Sequence, residues 1–352
     1  MILYLFLLLW LAPSWSYGVS FDPFTDKTEI THHGGPILTR EVNLMLIFYG
    51  DDHDDDQKNL IRNFIKSLNE DRKATSDKGV PQVSTWWKVV EAYQAAVPGA
   101  NAGKPPEIKV IADKQKITSP KYGKVLTDQE IIPNLIKDVT HGDNKVIPVI
   151  VAAKDVTVQG LCTGKCADKG VVASWFVGGR VDWLMFRWIF MGLLIVGWGE
   201  QNFSIFDGII EGHAYIVVGN PETECPGACG WPFQEADSGP KGPILKPPNG
   251  NMPGDAMVVA FAGALVDTIL SPQNTGFFGG NEFEPYGPAT VCRGIFGEGA
   301  SPGNPGKVLT DPKTGGNYNA VGNDGNKFLV PAIWNPKTKS CWTPMMKGGP
   351  YD

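Results

Sequence analysis

The sequence predicts an α/β (α+β) protein folded as a single layered domain, and three observations carry that prediction. Residues 254–272 read as a helix that is apolar on every side, not along one stripe, so it belongs inside the fold. Apolar runs at 42–49, 145–158 and 214–220 read as buried strands, with helical patterns between and after them. The 42 glycines and 28 prolines among 352 residues demand many turns.

Each element follows in order. Residues 1–16 are an apolar run closed by small residues at Ser14 and Ser16, the pattern of a cleaved signal peptide that leaves 17–352 as the mature chain. The first buried strand is 42–49. Behind it, Asp51, Asp52, Asp54, Asp55 and Asp56 surround His53 without the glycine and distal glutamate of a calcium loop. Leu60, Ile61, Phe64, Ile65 and Leu68 follow at helical spacing, so the acidic run reads as a helix N-terminus favoured by the macrodipole. A second helix opens at Ser84, a short strand covers 108–112, and a third helix runs from 126 to about 139. Residues 145–158 form a central strand and 214–220 another. Asp255 is placed to cap the buried helix, and Pro272 cannot continue it. From 276 to 352 glycine, proline and asparagine dominate, which predicts an irregular C-terminal lobe laid over the sheet.

Charge and motif content exclude several functions. A net charge of −6 without a lysine–arginine run gives no face for nucleic acid. Cys162, Cys166, Cys225, Cys229, Cys292 and Cys341 fit three disulfides of open connectivity, while the first four also have spacing that suits zinc thiolates. The signal peptide favours disulfides, with Cys292 and Cys341 stapling the C-terminal lobe to itself. His32, His33, His53, His141 and His213 are scattered, and adjacent histidines on a strand point to opposite faces. Asp267 is the only ionisable group of the buried helix after Asp255, and one carboxylate cannot hold zinc. It reads as a carboxylate near the surface or hydrogen-bonded to backbone. No Gly-x-Ser-x-Gly elbow occurs. No catalytic residue, metal or cofactor is assigned.

Several motifs carry a family resemblance: His33-Gly34-Gly35-Pro36-Ile37-Leu38-Thr39, Ser84-Thr85-Trp86-Trp87-Lys88, Ala153-Lys154-Asp155-Val156-Thr157-Val158, Cys162-Thr163-Gly164-Lys165-Cys166 and, strongest, Val217-Val218-Gly219-Asn220-Pro221-Glu222-Thr223-Glu224-Cys225-Pro226-Gly227-Ala228-Cys229-Gly230-Trp231-Pro232-Phe233. With these the chain resembles the EXORDIUM, or phosphate-induced protein 1, family of secreted plant proteins over nearly all of its mature length. The resemblance implies an extracellular, cell-wall-associated protein of brassinosteroid-responsive growth and brings no catalytic residues with it. With no catalytic motif found, the chain reads as a non-enzymatic protein that binds a wall glycan or an extracellular protein. An extracellular hydrolase and a structural wall component are the alternatives.

One segment departs from that family. Residues 181–212 form an atypical apolar insertion whose core, 183–198, is interrupted by Arg187 and would span about 24 Å as a helix. Membrane contact is expected only if that run is genuine and inserted; an added surface segment or translated intron is the plainer reading. The one N-glycosylation acceptor, Asn202, lies beside it. The helix 255–272 also resembles, more weakly, the active-site helix of zincin-like peptidases. In that register Gly263 and Ala264 stand where histidine and glutamate would be, as in a scaffold that has lost its metal.

Overall fold

The computed structural model describes residues 29–70, 80–100, 103, 105–162, 165–173, 212–281 and 284–350. The predicted signal peptide, the apolar run 183–198 and Asn202 lie outside the described residues.

The elements that build the centre are β1 (Glu41–Tyr49), α1 (Asp55–Asn69), α2 (Val83–Ala96), β2 (Lys109–Thr118), α3 (Ile131–Thr140), β3 (Val146–Ala152), β4 (Ala167–Ala173), β5 (Gly212–Val218) and α4 (Met252–Leu270). The five strands form one sheet in the order β2-β1-β3-β5-β4. The pairs β2–β1, β1–β3 and β3–β5 are parallel, and only the edge strand β4 is antiparallel. All seven residues of β3 are buried, as expected where helices cover both faces of a parallel sheet.

Alternation along the strands divides the core in two. Leu44, Leu46, Phe48, Val149, Val151, Ile216 and Val218 share one core with α1, α2 and α4. Ile47, Tyr49, Ile150, Ala152, Tyr215 and Val217 share the other with Leu135, Ile136 and Val139 of α3. Helix α4 is long and apolar enough to cross a membrane, but 72% of its most apolar window is buried within the protein. It is the predicted core helix, packed on α1, α2, β4 and β5.

Four boundaries differ from expectation. The cap of α4 is Asn251, whose side chain accepts from Gly254 N, and not Asp255, which sits inside the first turn. Strand β2 continues to Thr118 through the exposed Asp113, Lys114, Gln115 and Lys116. A charged edge strand needs no apolar alternation, so the pattern hid its second half. Helix α3 starts at Ile131, because Leu126 is drawn into the two-residue strand Val125–Leu126 paired with Thr157–Val158. The same pairing ends the expected strand 145–158 early, at Ala152. Strand β4 escaped the sequence reading altogether, since its opening Ala167-Asp168-Lys169-Gly170 has no strand signature.

The C-terminal region is irregular but does not lie over the sheet. Its short antiparallel pairs, such as Ala320–Val321 with Lys327–Phe328 and Ile333–Asn335 with Ser340–Trp342, cover the helices instead. Trp86 and Tyr93 of α2 donate to the carbonyls of Pro331 and Trp334 at 2.7 and 2.6 Å. Phe328, Val330, Ile333 and Trp342 join the main core, so this region completes that core.

The zincin-like expectation is not supported. The analogy rested on the apolar character of one helix, which any buried helix shares. The sheet beneath it has the layout of a doubly wound α/β protein. All six cysteines pair, as Cys162–Cys225, Cys166–Cys229 and Cys292–Cys341, so none is left as a zinc thiolate.

Candidate functional site

In an open parallel sheet the chain leaves neighbouring central strands in opposite directions, and a crevice opens beyond their carboxyl ends. Here that point lies between β1 and β3. The connection from β1 to β2 runs through α1 and α2 on one face, and that from β2 to β3 through α3 on the other.

Gly50 ends β1 with φ 127°; a Cβ on it would lie 2.4 Å from that of Ala153 and 2.8 Å from Asp155 Oδ1. This close approach lets Asp52 N donate to Asp155 Oδ1 at 3.3 Å. Lys154 Nζ pairs with Asp52 at 3.2 Å and with Glu222 at 3.8 Å, and Lys124 Nζ pairs with Asp155 at 2.9 Å. Asn220, just past β5, donates to Gln57 Oε1 at 3.0 Å, and Gln57 Nε2 donates to Glu222 at 3.3 Å. The Lys124 ammonium holds the Asp155 carboxyl below the usual carboxylate range, and Asp52 raises Lys154. Asp155 is therefore held as a paired carboxylate.

Among the described residues, two buried atoms here have no protein partner, His53 Nε2 and Glu224 Oε2. Burial lowers the His53 imidazole, helped by Lys58, against hydrogen bonds to the backbone of Phe48 and Gly50. Burial raises Glu224, whose other oxygen accepts from Val158 N at 2.8 Å.

Two helix N-termini converge at the same end. Asp54 caps α1 by accepting from Asp56 N at 2.8 Å, as the acidic run predicted. Asn251, the cap of α4, donates to Asp54 Oδ2 at 2.9 Å. The loop carrying Asn251 has a second side. With Lys246, Pro247, Pro248, Asn249 and Gly250 it walls an open cleft of about 410 Å³, closed opposite by Asp311, Thr314 and residues 324–327. Asn249 holds the wall in place by donating to Asp255 and to Lys327 O. Lys327 Nζ pairs with Asp311 at 2.5 Å and stands 5.1 Å from the Tyr318 ring centroid. Lys327 and the backbone of Lys313 pull the Asp311 carboxyl down to about 2.

Asp267 and the histidines other than His53 lie elsewhere, at separate places in the fold. His33 stacks on Phe278 at 3.6 Å, His32 bonds Gly35 O, His141 terminates α3, and His213 bonds Val146 O at 2.7 Å. Asp267 is buried and accepts from Ala289 N, Thr290 N and Thr290 Oγ1 at 2.8, 3.2 and 2.6 Å. This is the backbone-bonded reading of Asp267. Lys169, which burial pushes down to about 8, donates to the carbonyls of Asp267 and Ser271 and closes the helix end. Among the described residues no group of three or more His, Cys, Asp or Glu could hold a metal ion. Sequence reasoning missed Lys154, Asp155, Asn220, Lys246 and Asp311 as site residues; Lys154, Asp155 and Asn220 stood in family motifs just after apolar strands, and Lys246 and Asp311 in proline–glycine loops.

The conserved-region model of phosphate-induced protein 1 matches residues 30–189 and 199–344. The chain belongs to the phosphate-induced protein 1 family. EXORDIUM-like 6 of Arabidopsis thaliana is 34% identical over 334 residues, covering 86% of this chain and 89% of the relative. EXORDIUM of the same plant is 33% identical, covering 89% and 88%. PHOSPHATE-INDUCED 1 of Nicotiana tabacum is 32% identical, covering 89% and 88%. No solved structure matches this family member.

Proposed function

We propose that this phosphate-induced protein 1 family member acts outside the cell, in brassinosteroid-responsive plant growth, as a non-enzymatic protein that binds a neutral wall glycan. The observation that carries the reading is the lining of the cleft beside α4. Lys246 and Lys327 carry two positive charges and Asp311 and Asp324 two negative ones, so the formal charges cancel, with Lys327 paired to Asp311 and Lys246 donating to Thr314 O at 2.7 Å. Pro247 and Pro248 add apolar faces. A free anion would meet two carboxylates there and a free cation two ammonium groups. A sugar diol, which donates and accepts at adjacent oxygens, satisfies both kinds of partner. The pairing of all six cysteines supports an oxidising, extracellular setting. The Asp155 carboxyl, held low by Lys124, is suited to pairing and not to taking up a proton.

The test is calorimetric titration of the purified full chain with neutral xyloglucan and mannan oligosaccharides, with oligogalacturonate as the charged control. Binding of a neutral oligosaccharide is expected. Asp324→Asn and Lys246→Met should each weaken it about tenfold, or ~1.4 kcal/mol, with an unchanged melting temperature. Binding of oligogalacturonate alone, or no heat with any glycan, would refute the assignment.

A further inference from the structure

Each cysteine of the first Cys-x-x-x-Cys motif pairs with its counterpart in the second, at a sequence separation of 63 in both bridges. The two bridges therefore lie side by side as rungs. Across the gap between them, Cys225 Sγ and Cys229 Sγ are 3.5 Å apart. Cys225 flanks the one-turn helix Pro226–Cys229, so the two residues stand four apart on one helical face. Their Cα separation of about 6 Å in such a turn falls within the span that a disulfide bridges. Cys162 and Cys225 also hold positive φ angles, 72° and 46°, which favour glycine.

We propose that the paired bridges form a thiol–disulfide exchange site whose substrate is an extracellular dithiol. The reductant's thiolate attacks Cys162 Sγ and displaces Cys225 as a thiolate. Cys225 then attacks Cys229 Sγ, forms Cys225–Cys229 and displaces Cys166. The second thiol of the reductant resolves the mixed disulfide on Cys162 and leaves as an intramolecular disulfide. Entry at Cys166 Sγ reaches the same product through Cys229 and then Cys225. Two protein disulfides and one dithiol become one protein disulfide, two protein thiols and one reductant disulfide; the two thiol protons of the reductant end on Cys162 and Cys166. The buried Cys229 is shielded from direct attack, which leaves its neighbour as the nucleophile that reaches it.

Exchange frees the start of β4, at Ala167, from the loop that carries Asn220, Glu222 and Glu224, and so loosens one wall of the carboxyl-end crevice. It does not depend on the glycan reading. The experiment is limited reduction of the native full chain with dithiothreitol at pH 8, acid quench, N-ethylmaleimide labelling and peptide mapping. Among molecules labelled twice within these four cysteines, the labels are expected on Cys162 and Cys166, with Cys225 and Cys229 joined. Labels on Cys162 with Cys225, or on Cys166 with Cys229, would overturn the proposal.

Discussion

At Gly50 the backbone turns off β1 with φ 127°, a region that side chains rarely occupy, and there is no room for a methyl group beside Ala153. Gly50→Ala is expected to cost about 2–4 kcal/mol, read as a lowered urea midpoint. Gly263 is the useful contrast. It lies inside α4, and a Cβ there would meet only Ala289 Cβ, at the ordinary distance of 3.8 Å. Gly263→Ala removes the entropic cost of a helical glycine without a clash, so the midpoint should rise by an equivalent of about 0.5–1 kcal/mol. A fall there would mean that the packing around α4 differs from this structure.

The N-terminal caps of helices α1 and α4 are tied together by one side chain, Asn251. Asn251 accepts from Gly254 N at its own helix and donates to Asp54, the cap of the other. Asn251→Ala loses both bonds and should cost about 2 kcal/mol, more than an isolated cap. Asn251→Ser, which restores an acceptor for the helix but does not reach like an amide, should recover part of that loss. Equal stability of the two variants would show that the cap contributes nothing beyond the bridge. The acidic run before α1 was legible as a helix start because capping is local chemistry. Its link to Asn251 was not, since 197 residues separate the partners.

For the whole molecule, Asp255 and Asp311 shift stability with pH in opposite directions. Burial pushes Asp255 up to about 6 from 3.8, so the folded chain holds that proton more tightly than the unfolded chain. Its contribution is full below about 4 and declines as pH rises toward 6, by on the order of 2–3 kcal/mol. Asp311 is held down to about 2, so its contribution is present above about 4 and is lost as pH falls toward 2. Urea midpoints measured from pH 4 to 7 should therefore fall with rising pH through the Asp255 window. Asp255→Asn should flatten that slope, and an unaltered slope would place the titration on another group.

The sequence by itself determined what depends on neighbours along the chain: the buried helix, the apolar strands, the acidic helix start and the family motifs. These follow from periodicity, capping and composition, all readable within a turn or two. Only the tertiary structure decided that the C-terminal region covers the helices, how Cys162 and Cys166 find Cys225 and Cys229, and that Lys154, Asp155 and Asn220 share one crevice. Those facts rest on strand order and on contacts between distant segments, and many chain paths satisfy the same local pattern. Strand β4 and the second half of β2 fall between the two cases. Polar edge strands are fixed by the backbone pairing of their neighbours, and their own side chains leave little trace of it.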